Sequence, residues 1–177
     1  MQDHLASSNV TLHWITAPAA KALTARAIAD IMVSDPAYIC RDEYTDGFSA
    51  DGKTWNANAA DALTEFFLSD PDMQDRLFVQ ASDEAGAFLG GVVIEPGHND
   101  HEKYWTIEDL VVAPAARRRG IGDALLGFLM SEARKAGIAR LMLESGVANH
   151  GAHTLFDKKG FGQVSTLYAY RLEDHQT

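Results

Sequence analysis

The sequence predicts an α/β (α+β) fold: a mixed, mostly antiparallel central sheet flanked by helices. Two apolar runs, Leu77 to Ala81 and Ala87 to Ile94, are separated by the turn Asp83-Glu84-Ala85-Gly86. Pro96-Gly97-His98-Asn99 then turns the chain into a long run, Tyr104 to Val112, which completes an antiparallel meander. Beyond it, short apolar runs alternate with amphipathic stretches, so the later strands are joined through crossover helices. The 177 residues suffice for one domain with a sizeable core, and no repeat, linker or low-complexity tract divides residues 1–177.

Taken in order, Val10 to Ile15 alternates as a first strand, and the Ala-rich stretch Ala17 to Val33 suits a helix that Asp35-Pro36 stops. Ala37 to Gly52 is polar, aromatic and irregular. Asn58 to Leu68 forms a second helix ending before Asp70-Pro71. After Pro114, residues Ile121, Ala124, Leu125, Phe128 and Leu129 share one face of a helix that runs to the Gly137 stop. Leu141 to Leu143 reads as a short buried strand, Ala152 to Lys158 as a short helix ending near Gly160, and Val164 to Arg171 as the closing strand.

A net charge of −10 argues against a nucleic-acid partner, which requires a basic surface. Acidic residues gather between Asp42 and Glu84, and basic ones at Arg117 to Arg119 and around Arg134, Lys135, Lys158 and Lys159. That division suits an anionic ligand on one side and a cationic substrate on the other, or it serves solubility alone. The single cysteine, Cys40, excludes an internal disulfide framework. No apolar stretch is long enough to span a bilayer, and Met1-Gln2-Asp3-His4 has no secretory pattern, so a cytoplasmic protein without a membrane partner is expected.

Arg117-Arg118-Arg119-Gly120-Ile121-Gly122, between a strand and a helix, reads as a pyrophosphate cradle. Its glycines let the backbone approach an anion, and the helix N–H groups and dipole add positive potential to the guanidinium groups. Three arginines at the positive end of a helix call for an anion to compensate them. A solvated Arg-rich turn is the plainer alternative. No Lys follows Gly122, as a P-loop requires, and Leu125 stands where a dinucleotide fingerprint needs a small residue.

What remains, Arg-x-x-Gly-x-Gly after a strand, resembles the acetyl-CoA loop of the GNAT superfamily of N-acetyltransferases. The resemblance extends over Ile107-Glu108-Asp109-Leu110-Val111-Val112 and Asn149 through Phe161, about a third of the chain, and is closest to the diamine and polyamine acetyltransferase branch. It implies a single acetyl-CoA-dependent domain with a splayed central strand. In such a domain the backbone of Leu110, Val111 and Val112 would bond the pantetheine arm and thioester, and Arg117, Arg118, Arg119, Gly120, Ile121, Gly122 and Asp123 would hold the pyrophosphate. By the same resemblance Asn149 meets the pantetheine amide, and Ala152 leaves room for CoA. Phe156 lines that site where many members carry a proton-donating Tyr; water, Tyr168 or Tyr170 are the substitutes to consider.

An alkyl amine is neutral in only about one molecule in a few thousand at pH 7, so a base is useful. Glu108 matches the branch's strand glutamate and is expected as that base, acting through water. Asp109, one residue along a strand, is expected on the opposite face, as a structural or substrate-orienting group. Leu143 and Glu144 are expected acceptor contacts, and Tyr38, Glu43, Tyr44 and Trp55 would close over the acceptor or pack the core. His98, Asp100 and His101 offer no convincing third ligand, so no metal is expected; His150 and His153 flank the CoA helix; Cys40 reads as an inert thiol.

These residues together predict transfer of an acetyl group from acetyl-CoA to the primary amine of a small, cationic molecule by direct attack in a ternary complex. The rivals are a non-catalytic acyl-CoA-binding or sensing domain, and a protein lysine or N-terminal acetyltransferase. Family members often form homodimers.

Overall fold

Five strands form one sheet in the order β1-β2-β3-β4-β5 in the computed structural model, which describes residues 10–69 and 76–169. They are β1 (Thr11–Ile15), β2 (Leu77–Ser82), β3 (Phe88–His98), β4 (Lys103–Val112) and β5 (Arg140–Leu143). The first three pairings are antiparallel, and β4 pairs with β5 in parallel through the crossover. Among the described residues five α-helices flank the sheet: α1 (Pro18–Val33), α2 (Arg41–Thr45), α3 (Ala59–Ser69), α4 (Ile121–Lys135) and α5 (His150–Lys159).

Each face of the sheet buries its own apolar layer. On one, Val79, Val92, Ile94, Trp105 and Ile107 pack against Leu125, Leu126 and Leu129 of α4. On the other, Phe78, Val93 and Val111 meet Ile28 and Met32 of α1 and Leu63 and Phe67 of α3. The three α4 leucines are wholly buried, each contributing about 1.5–3 kcal/mol. Pro18 opens α1, where its missing N–H costs nothing, and Gly137 and Gly160 follow α4 and α5 with positive φ.

Three expectations are corrected. The stretch from Pro96 to His98 does not turn; it extends β3 against β4, and the turn follows at Asn99, which closes on Glu102. Proline is tolerated because, among the described residues, pairing with β2 ends at Leu77 opposite Ile94 and no strand faces this part of β3 on that side. The irregular stretch after Pro36 contains the one-turn 3-10 helix Pro36–Tyr38, capped by Asp35, and then α2. Residues 164–169 form no strand: Gln163 Nε2 donates to Ser165 O and Thr166 Oγ1, bonding the chain locally, and Val164 and Tyr168 are solvated. Tyr170, Arg171 and the Asp70-Pro71 stop lie outside the described residues.

Candidate active site

A bulge in β4 builds the site. Val93 pairs with Asp109 and Ile94 with Ile107, so Glu108 is an extra residue in the ladder. Its effect is visible in the cores: Trp105 and Ile107 pack on the α4 face, whereas Val111, which strict alternation would put with them, packs on the α1 face. The phase change puts Glu108 and Asp109 on the same side of the sheet, contrary to the opposite faces expected from uninterrupted alternation.

β4 also loses its other neighbour here. Parallel pairing ends at Ile107 with Leu143, and the chain then leaves towards α5. Ala113 donates to Leu89 of β3, so by alternation Leu110 and Val112 turn their backbone groups into the opening. Val111 is the exception to the expected trio: its backbone faces Gly91 of β3 and its side chain is fully buried.

A cavity of about 50 Å³ lies in this opening, lined among others by Tyr38, Glu43, Glu108, Asp109, Leu110, Leu143, Glu144, Asn149, Ala152 and Phe156. The structure thus gathers residues that the sequence places up to more than a hundred positions apart. A groove of about 820 Å³, bordered by Arg41, Tyr44 and Asp51, shares Cys40, Glu144, Ser145 and Gly146 with the cavity.

One residue without a role in the sequence reading controls the acidic end. Arg76 is 2% exposed; its Nε lies 2.7 Å from Glu108 Oε2 and its Nη2 donates to Glu108 Oε1 at 3.2 Å. Its Nη1 donates to the Phe66 carbonyl, and the guanidinium lies 4.2 Å from the Phe66 ring centroid. The one signal in the sequence was a basic residue in an acidic stretch abutting the apolar run Leu77-Phe78-Val79.

Burial raises the Glu108 carboxyl, and Arg76 pulls it back. Asp109 is pushed well above the usual carboxylate range by burial first and then by the negative charges of Glu43 and Glu108, against Arg76. Glu43 is buried and also raised, chiefly by burial, while accepting from the Cys40 N–H at 2.8 Å. Burial and Glu43 hold the Cys40 thiol protonated, which makes it a poor nucleophile.

At the other end, Gly120 caps α4 with φ 79°, and Arg118 has φ 62°. No atom stands within 4 Å of where a Gly120 Cβ would be, whereas one on Gly122 would press on Leu155 of α5. Gly120 therefore answers a backbone need and Gly122 a packing need. The first α4 hydrogen bond is Ala124 N–H to Gly120 O, leaving the N–H groups of Ile121, Gly122 and Asp123 without intrahelical partners. Arg117 folds inward: its Nε donates to Val112 O at 3.4 Å, its Nη1 lies 3.6 Å from Asp35, and it faces the Tyr38 hydroxyl together with the Val112 N–H. The Asp123 side chain instead accepts from Lys158 and Lys159 of α5.

Asn149 Oδ1 caps α5 through the Ala152 N–H at 3.2 Å. Glu144 accepts from the Arg41 N–H at 2.9 Å and tethers α2. Trp55 packs against the core beside α1 and donates to Asp35 O. The His150 and His153 rings contact each other edge to face. Among the described residues no group of three or more His, Cys, Asp or Glu is placed to hold a metal ion. No described helix is long and apolar enough to cross a membrane.

The structure thus combines a mixed sheet whose parallel pair opens beyond Ile107, a cavity in that opening and an Arg-Gly loop at the N-terminus of α4. The chain belongs to the acetyltransferase (GNAT) family, whose model matches residues 37–161. It is 37% identical over 65 residues to the ribosomal protein bS18-alanine N-acetyltransferase of Escherichia coli K12, covering 37% of this chain and 44% of that one. It is 30% identical over 98 residues to the aminoalkylphosphonate N-acetyltransferase of Salmonella typhimurium, covering 54% and 61%. The chain spans about half the length of the curated relatives it matches. Its fold is shared with a ribosomal-protein-alanine N-acetyltransferase from Brucella melitensis biovar Abortus 2308 (TM-score 0.65, 16% identity, 93% of this chain and all of that one). It is also shared with an aminoglycoside N-acetyltransferase solved in complex with CoA (TM-score 0.60, 16% identity, 93% and 95%).

Proposed function

We propose that this chain transfers the acetyl group of acetyl-CoA directly to the primary amine of a small, cationic acceptor. The observation that carries the reading is the opened edge of β4, with a phosphate-suited helix terminus at one end and Glu43, Glu108, Asp109 and Glu144 around the cavity at the other. The pyrophosphate sits on the N–H groups of Ile121, Gly122 and Asp123 with Arg118 and Arg119 beside it. The arm of the donor runs along Leu110 and Val112, past Asn149 and Ala152. The Leu110 N–H meets the thioester oxygen, where one such donor stabilises the developing oxyanion by roughly 3 to 4 kcal/mol.

The acceptor arrives through the outer groove and its ammonium is drawn in by the carboxylates, with Glu108 held in place by the buried Arg76 guanidinium. Leu143 borders its path and Glu144 shapes the entrance. A di- or polycationic acceptor fits this charge, in line with the resemblance of Glu108-Asp109 and Asn149 to the diamine and polyamine branch. The acceptors named for the relatives, a ribosomal-protein alanine and an aminoalkylphosphonate, are amines too. Phe156 has no proton to give, but a thiolate with a pKa of about 8.5 departs without a strong acid. Tyr38 is the phenol that shares the cavity with it.

The test is thiol release from acetyl-CoA by the purified chain, with polyamines, aminoglycosides, aminoalkylphosphonates and an alanine-terminated peptide as acceptors. The reading expects release stimulated at least tenfold by a polycationic amine. Stimulation by the peptide alone favours a protein acceptor. Acetyl-CoA binding with no release in the presence of any amine leaves a binding domain, and no binding removes the cradle as well.

A further inference from the structure

We infer that Asp109, rather than Glu108, receives the proton of the attacking amine, with Glu43 beside it as the second member of a carboxyl pair. The inference rests on the acetyl-transfer reading and assigns a residue within it.

Three structural observations meet at Asp109. The bulge turns it to the same side as Glu108, so both line the cavity at the end of the opened strand. Glu108 has both oxygens against Arg76, and that guanidinium is buried; placing a proton on Glu108 would strand a buried cation, an arrangement that resists the change. The Asp109 carboxylate, by contrast, has no hydrogen-bond or ion-pair partner among the described residues, so its lone pairs are available to a ligand.

The charged groups acting on Asp109 are Glu43 and Asp42 of α2, Glu108 of β4 and Arg76 ahead of β2, and Tyr38, Cys40 and Glu144 line the same cavity. Burial and the two neighbouring glutamates raise it, and Arg76 opposes them. Glu43 is itself raised, chiefly by burial, and its charge adds to the burial that raises Asp109, so Asp109 takes up a proton at higher pH than an ordinary carboxylate does. A base that titrates closer to the working pH is the more effective one.

The acceptor's ammonium gives one proton to the Asp109 carboxylate, and the freed nitrogen lone pair forms the C–N bond while the carbonyl π pair moves to oxygen. Collapse re-forms the carbonyl and expels sulfur with the C–S pair. The second nitrogen proton reaches that sulfur through water, and Asp109 returns its proton to solvent. The net change is ammonium plus thioester to amide, thiol and one proton.

The test compares kcat and KM across pH for the wild type, Asp109→Asn, Glu108→Gln and Glu43→Gln, using the best amine from the thiol-release screen, with acetyl-CoA affinity and thermal melting measured on each. Asp109→Asn should lower kcat at least 100-fold, leave acetyl-CoA affinity within threefold and abolish the acid limb of the kcat profile. Glu108→Gln should raise KM for the amine about tenfold while keeping that limb. Glu43→Gln removes a negative neighbour, lowers the Asp109 pKa and so moves the limb to lower pH. A folded Asp109→Asn that keeps kcat within threefold, or a limb lost in Glu108→Gln instead, overturns the assignment. Should Asp109→Asn fail to fold, a limb that stays put or moves up in Glu43→Gln overturns it equally. A wild type with no amine-dependent release strikes the transfer reading itself.

Discussion

Arg118 and Gly120 both occupy the left-handed region within three residues, a conformation that favours glycine and is uncommon for arginine. The strain is local and sits where successive N–H groups turn towards the start of α4, the arrangement that suits an oxyanion. Replacing Arg118 and Arg119 by Glu should therefore weaken acetyl-CoA binding by about 1.5–3 kcal/mol for each charge-assisted hydrogen bond to phosphate, roughly ten- to a hundredfold apiece. Calorimetry with acetyl-CoA measures this, and S-acetylpantetheine, which lacks the pyrophosphate, serves as the control whose affinity should not move. Unchanged acetyl-CoA affinity would remove the cradle. At this scale the sequence was legible where backbone geometry depends on local spacing, as at the Gly120 turn into α4 and at Asn149, which opens α5. It was silent on Arg76, because its partner Glu108 lies 32 positions away and only the fold brings them together.

Among elements, the legible ones announce themselves with periodicity and with stops: α1, α3 and α4, and the β2–β3 hairpin across Asp83 to Gly86. The bulge in β4 was not legible. No glycine or proline marks it, and Glu108-Asp109 reads as ordinary alternation, so the side on which Asp109 lies came out reversed. The failed closing strand has a related cause, since a strand-forming composition specifies no partner. The short turn Pro36–Tyr38 shows how packing between loops sets the site: a Cβ on Gly146 would run into the carbonyl oxygens of Ile39 and Ala37. Gly146→Ala should push that turn and Tyr38 off the cavity, costing about 1–3 kcal/mol of stability by overpacking. Thermal or urea unfolding reads the loss, which should appear with a weakened acetyl-CoA affinity; wild-type stability would mean that the loops yield freely.

Over the whole molecule, the division of charge seen along the sequence becomes a division of space. The arginine loop and the carboxylate cavity lie at opposite ends of the opened part of β4, so two ligands of opposite charge can be held end to end on one strand. Cys40 is a poor candidate for an acetylated enzyme: it is half-buried, and its thiol is kept protonated by desolvation and by Glu43. Direct transfer between two ligands bound together is the central claim. It is tested most directly by initial rates of thiol release with acetyl-CoA and the preferred amine both varied. Lines that intersect in a double-reciprocal plot, with no acetyl group retained on the protein in the absence of amine, are the result expected. Parallel lines, or an acetyl group on Cys40, would contradict it.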